Sequence, residues 1–68
     1  MENTLGIRYT TKNGSVEQKI NETLPNMVAL AEHEFEAGLA ESVCVYDMSG
    51  KAKFYLKRTP NGVIRETF

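Results

Sequence analysis

The sequence predicts an α+β domain, ββαββ(β), with one amphipathic helix packed on one face of a four- to five-stranded antiparallel sheet. Three observations lead there. Asn13-Gly14 sits between two alternating apolar/polar runs. Between Thr23 and Gly38 the apolar residues recur every three or four positions. Two further turn signals, Met48-Ser49-Gly50 and Thr59-Pro60-Asn61-Gly62, divide the rest into strand-length pieces. A helix and a one-sided sheet must bury their apolar surfaces against each other, so the pieces assemble into two layers.

The first hairpin is expected over residues 4–20. Asn-Gly favours a type I′ turn, whose two central residues both need positive φ. With Asn13 and Gly14 at those positions, Lys12 faces Ser15, Thr11 faces Val16, Tyr9 faces Gln18 and Ile7 faces Ile20. One face then collects Leu5, Ile7, Tyr9, Val16 and Ile20. The other collects Arg8, Thr10, Glu17 and Lys19, with Arg8 and Lys19 as cross-strand neighbours. Pattern and turn chemistry agree on which face is buried.

The helix is expected over residues 24–37. Thr23 suits the N-cap, and Pro25 is tolerated in the first turn, where its missing N–H has no helical partner to lose. Leu24, Val28, Ala31 and Phe35 form one face, widened by Met27 and Leu30. Gly38 suits the left-handed residue after a helix end, and Leu39 could fold back onto the last turn.

The second hairpin covers residues 42–58. In its returning strand Ala52, Phe54 and Leu56 alternate with Lys51, Lys53, Tyr55 and Lys57. The outgoing strand is ambiguous, because Val43, Cys44, Val45 and Tyr46 are all apolar or amphipathic. A four-residue loop sends the valines inward, and a three-residue loop with a Gly50 bulge sends Cys44 and Tyr46 inward; the valines are the preferred choice. Residues 63–68 can return as a last strand, placing Arg65 opposite Lys57 and Phe68 near Phe54.

Size and composition narrow the function. The 68 residues fit one domain, 1–68. A chain of this length buries only about 60% of its unfolded surface, so a deep pocket would compete with the core. Charged residues at 25% and apolar residues at 41% are ordinary for a folded domain, and the net charge of −1 gives no global pull toward nucleic acid or membrane. A single cysteine excludes an intrachain disulfide, which fits a reducing cytoplasm. Neither an apolar signal segment nor a membrane span is expected.

The charges are unevenly placed. Residues 21–41 carry five of the nine acids and no Lys or Arg. The remaining segments carry all eight basic residues against four acids, a surplus of +4. Arg8, Lys19, Lys53, Lys57 and Arg65 are expected on the sheet face away from the helix, with Tyr55 and Tyr46 among them. Two readings stay open. Such a face could meet an anionic partner, or long basic side chains could simply cover an open sheet and discourage sheet-to-sheet association. Glu32, Glu34 and Glu36, with His33, form an acidic helix face. It reads either as a solvated exterior or as a surface that docks on a basic groove.

Catalytic constellations are missing. His33 has no second histidine at helical spacing to complete a zinc motif, and Cys44 has no histidine to activate it beyond that one. The glycines are spread out and make no phosphate-cradling loop. The carboxylates on the helix have nothing that would separate their pKa values. No catalytic residue, metal or cofactor is expected.

The order of signals, from the Asn-Gly hairpin through the acidic helix to Val43-Cys44-Val45-Tyr46-Asp47-Met48-Ser49-Gly50-Lys51, resembles short bacteriophage and mobile-element proteins, including anti-CRISPR and other anti-defence proteins. The likeness spans the whole chain and is one of size and architecture, so no residue role carries over. It implies a stoichiometric inhibitor that binds a host protein or protein complex. The expected function is therefore a non-catalytic interaction module. The alternative is a nucleic-acid-binding module in which Arg8, Lys19, Lys53, Lys57 and Arg65 meet phosphates and Tyr55 stacks on a base. A homodimer through the open sheet or its edges is a third expectation.

Overall fold

The computed structural model describes residues 4–38 and 40–68. Five strands and one helix follow in the order β1 (Thr4–Thr11), β2 (Gly14–Asn21), α1 (Leu24–Glu36), β3 (Ser42–Asp47), β4 (Ala52–Thr59) and β5 (Gly62–Thr67). The strands make one sheet in the order β2-β1-β3-β4-β5, and every neighbouring pair is antiparallel. α1 lies across β1, β3 and β4 on one face. The predicted α+β architecture is therefore the observed one, with five strands.

The core is where the helix crosses the three inner strands. Met27, Ala31 and Phe35 of α1 meet Ile7, Val43, Val45, Phe54 and Leu56, and all of these are buried. Leu5, Tyr9, Ile20, Val28 and Leu30 pack around them, half-buried. Each large side chain fully withdrawn from water stabilises the fold by about 1.5–3 kcal/mol, so these few contacts hold the two layers together. The buried helical stripe is turned toward Met27 relative to the expected one, because Leu24 in the first turn is 37% exposed. Thr23 does occupy the N-cap, but its side chain makes no cap hydrogen bond. Glu22 Oε1 instead accepts from the Thr23 backbone N–H and the Asn26 side-chain amide, each at 2.9 Å. Gly38 takes φ +78° just past the helix end, as expected. The fold-back expected of Leu39 lies outside the described residues.

The first hairpin corrects the expected register. Thr11 pairs with Gly14, so Lys12 and Asn13 are the two loop residues. Asn13 does not adopt positive φ; that conformation falls on Gly14, at +126°. The Thr11 hydroxyl organises the turn: it accepts from the Asn13 N–H at 3.1 Å and donates to the Gly14 carbonyl at 3.0 Å. Pairing is displaced by two residues from the expectation. Tyr9 faces Val16, Ile7 faces Gln18 and Leu5 faces Ile20. A two-residue slip keeps every side chain on its predicted face but changes its neighbour. Arg8 thus sits opposite Glu17, and Lys19 opposite Gly6.

In the second hairpin the valines point inward, and four residues separate β3 from β4. Asp47 ties this loop: its Oδ1 accepts from Ser49 N–H at 2.9 Å, Ser49 Oγ at 2.6 Å and Lys51 N–H at 3.0 Å. These donors hold the Asp47 carboxyl below the ordinary range, the Ser49 hydroxyl contributing most. The register shifts between Val45–Phe54 and Tyr46–Ala52, which leaves Lys53 as the extra residue of a bulge.

The last strand forms, one residue out of the expected register. Thr59 pairs with Gly62, which sets Leu56 against Arg65 and Lys57 against Ile64. A one-residue slip turns a strand over. Arg65 therefore projects to the helix side, not to the open face.

Candidate functional site

Opposite the helix, the sheet face has no covering layer among the described residues. Strand alternation places Gly6, Arg8 and Thr10 of β1 there, with Ser15, Glu17 and Lys19 of β2. Ser42, Cys44 and Tyr46 of β3, Tyr55 and Lys57 of β4, and Ile64 and Glu66 of β5 lie there too. Arg8, Glu17, Lys19, Lys57, Ile64 and Glu66 are exposed, whereas Cys44, Tyr46 and Tyr55 are half-buried. The face carries three cations and two carboxylates.

Its most ordered part is a cluster on β1, β2 and β3. The Arg8 guanidinium bonds Glu17 Oε2 at 2.8 Å and stands 5.5 Å from the centre of the Tyr46 ring. The Tyr46 ring lies flat over Gly6: a Cβ at position 6 would come within 2.2 Å of Tyr46 Cζ. Only glycine leaves that space, which accounts for a glycine in mid-strand. The Tyr46 hydroxyl oxygen is buried and makes no hydrogen bond of standard geometry. It lies near enough to Glu17 to shift it nonetheless. The Tyr46 hydroxyl, and next the Arg8 guanidinium, hold the Glu17 carboxyl below the ordinary range. Burial, and next Glu17, push the Tyr46 phenol up.

The predicted site residues therefore separate. Arg8, Lys19, Tyr46, Tyr55 and Lys57 share the open face, but Arg8 is paired and Tyr46 is folded down over Gly6. Lys53 is drawn to the β3–β4 loop, with its ammonium 3.7 Å from Asp47 Oδ2. Arg65 stands on the other side of the sheet, ion-paired with Glu32 and 5.0 Å over the Phe54 ring. The expected basic face has lost two of its five cations by position and a third to an ion pair. Lys19 and Lys57 remain without a salt bridge among the described residues.

The acidic helix face divides as well. Glu32 leans toward β5 and Arg65. Glu34 lines a shallow hollow with Tyr9, Thr11, Val16 and Gln18, where burial, and next Glu34, raise the Tyr9 phenol pKa. Glu36 is exposed and borders a groove between α1 and β5. That groove, about 360 Å³, exists because the helix stops short of β5. Phe35, Leu56 and Val63 floor it, and Arg58 and Arg65 flank it. Arg58 lies 4.3 Å over the Phe35 ring and donates to the Phe35 carbonyl at 2.8 Å. It closes the helix C-terminus, where a cation also suits the helix dipole. Nothing in the sequence marked Arg58 apart from its neighbours, because its role depends on the helix end being carried to β4.

Among the described residues no group of three or more His, Cys, Asp or Glu could hold a metal, and no helix is long and apolar enough to cross a membrane. Cys44 is free, and burial raises its thiol pKa despite the opposing charge of Arg8. That is the reverse of an activated thiolate. No family model, no curated protein and no solved structure matches this chain.

Proposed function

We propose that the chain is a non-catalytic protein-interaction module that docks a partner protein on its open sheet face. The supporting observation is the makeup of that face. Half-buried Tyr55 and Cys44, with exposed Ile64, form an apolar strip bounded by Lys57, Lys19, Glu66 and the Arg8–Glu17 pair. Aromatic and apolar anchors ringed by balanced charge suit a protein surface, whereas phosphate binding wants a surplus of unpaired cations. The small core and the raised thiol of Cys44 favour binding over chemistry. A stoichiometric inhibitor of a host protein, of the kind mobile elements encode, is the role such a module would fill.

Affinity capture with the wild-type chain and with Tyr55→Ala/Lys57→Glu tests this. The wild type should recover one specific protein, and the double variant, still folded by circular dichroism, should lose it. Capture of nucleic acid in place of protein, with salt-dependent binding that Lys57→Glu weakens, would move the assignment to a nucleic-acid module. Capture that the folded double variant retains in full would remove the open face from the reading.

A further inference from the structure

The outer edge of β2 is self-complementary, and we infer that it pairs with the β2 edge of a second copy of this chain about a two-fold axis at Gln18. The Thr10 carbonyl accepts from Glu41 N–H at 2.8 Å, so the even-numbered residues of β1 direct their backbone groups toward β3. The odd-numbered ones then bond to β2 through the pairs Tyr9–Val16, Ile7–Gln18 and Leu5–Ile20. It follows that Ser15, Glu17 and Lys19 turn their N–H and C=O groups outward, along the free edge.

This alternation restricts the possible dimers. Outward-facing residues can exchange hydrogen bonds only with outward-facing residues, so odd positions must meet odd positions. An antiparallel two-fold pairing must then have its axis at a residue, not between two. An axis at Glu17 opposes Glu17 to its own copy, and an axis at Lys19 opposes lysine to lysine; like charges directly opposite destabilise a sheet. Axes at Val16 or Ile20 overlap only part of the strand. The axis at Gln18 pairs residues 15–21 throughout. It sets Glu17 against Lys19 of the second copy, twice, with two backbone hydrogen bonds at each pair. It also sets Val16 against Ile20 of the second copy, twice.

The run Val16-Glu17-Gln18-Lys19-Ile20 reads apolar, acid, neutral, base, apolar. That is a charge-reversed palindrome, the pattern an isologous edge requires. The fold supplies a second reason. Val16 is on the helix side of the sheet and is 55% exposed, because α1 does not extend over β2. Against Ile20 of a second copy it would be covered, and Ile20 already packs on the core. The other edge does not offer this. An axis at Ile64 of β5 would pair Val63 with Arg65 and Gly62 with Glu66, with no opposite charges facing.

Sedimentation equilibrium over a concentration series tests the inference with three samples. Wild type should dimerise. Lys19→Glu and Glu17→Lys should each run as monomers, because each puts like charges at both 17/19 contacts. An equimolar mixture of the two variants should form a heterodimer, since the two acids on the edge of one chain then meet the two bases on the edge of the other. Recovery in the mixture cannot come from a folding defect, and circular dichroism checks each variant alone. A wild-type monomer at every concentration would overturn the inference, as would variants that dimerise unchanged or a mixture that stays monomeric. Tyr55→Ala/Lys57→Glu changes only β4, away from this edge, so it should still dimerise, and its loss of partner capture tests the open face separately.

Discussion

The hairpins β1–β2 and β4–β5 are built on the same turn and differ in how well their strands are anchored. Each uses Thr-x-Asn-Gly: Thr11 and Thr59 accept from the N–H two residues on, at 3.1 and 3.3 Å. Each threonine also donates to the carbonyl of the closing glycine, at 3.0 and 2.8 Å. Gly14 and Gly62 have nearly the same φ, +126° and +129°. Yet β2 has a clear alternation, Val16 and Ile20 against Glu17 and Lys19, whereas β5 reads Val63-Ile64-Arg65-Glu66-Thr67 and is exposed on every residue. The turn fixes register in both. The side-chain pattern adds its vote only in β2.

The largest expected effect contrasts inner with outer strands. Phe54→Ala in β4 should lower the unfolding free energy by about 3–5 kcal/mol, and Val63→Ala on β5 by less than about 0.5 kcal/mol. Urea titration at low protein concentration measures both. Similar losses would mean that β5 belongs to the core as fully as β4 does.

The next effect asks whether the two turns are equivalent. Gly14→Ala and Gly62→Ala each force a side chain into positive φ, at about 1–2 kcal/mol. The open space around both glycines leaves no steric term to separate them. Thermal melts should show matching shifts; a clear inequality would show that the strands behind the turns, not the turns, set the strain.

The smallest effect depends on pH and belongs to β1–β2. The folded Glu17 carboxyl lies below its ordinary value, held there by the Tyr46 hydroxyl and Arg8. A depressed folded pKa gives stability that is complete above the ordinary glutamate range and lost as pH falls through the folded value. The melting temperature of wild type should exceed that of Glu17→Gln at neutral pH, and the gap should close in acid. A gap independent of pH would remove the carboxylate as its source.

These same residues show how much the sequence made legible. The helix, the first four strands and the preferred inward valines followed from periodicity and turn residues, because burial of one face imposes those patterns; the fifth strand was legible only as a possible return after the Thr59–Gly62 turn. The face of Arg8 was legible and its partner was not: a two-residue shift preserves the face and replaces Lys19 with Glu17. The side of Arg65 was not legible, since β5 lacks alternation and the hairpin loop is one residue shorter than expected. The signal that would have corrected both registers was the threonine before each x-Asn-Gly, whose hydroxyl marks the residue that pairs with the closing glycine. The apparent basic face came from placing charges by strand without knowing those partners.

The Tyr46 ring resting on Gly6 has an evolutionary consequence. Neither position can drift alone: a side chain at 6 collides with the ring, and a small residue at 46 uncovers a bare stretch of backbone between two strands. Exchange of this pair must pass through a less stable single variant, so relatives of this chain should vary at 6 and 46 together or not at all.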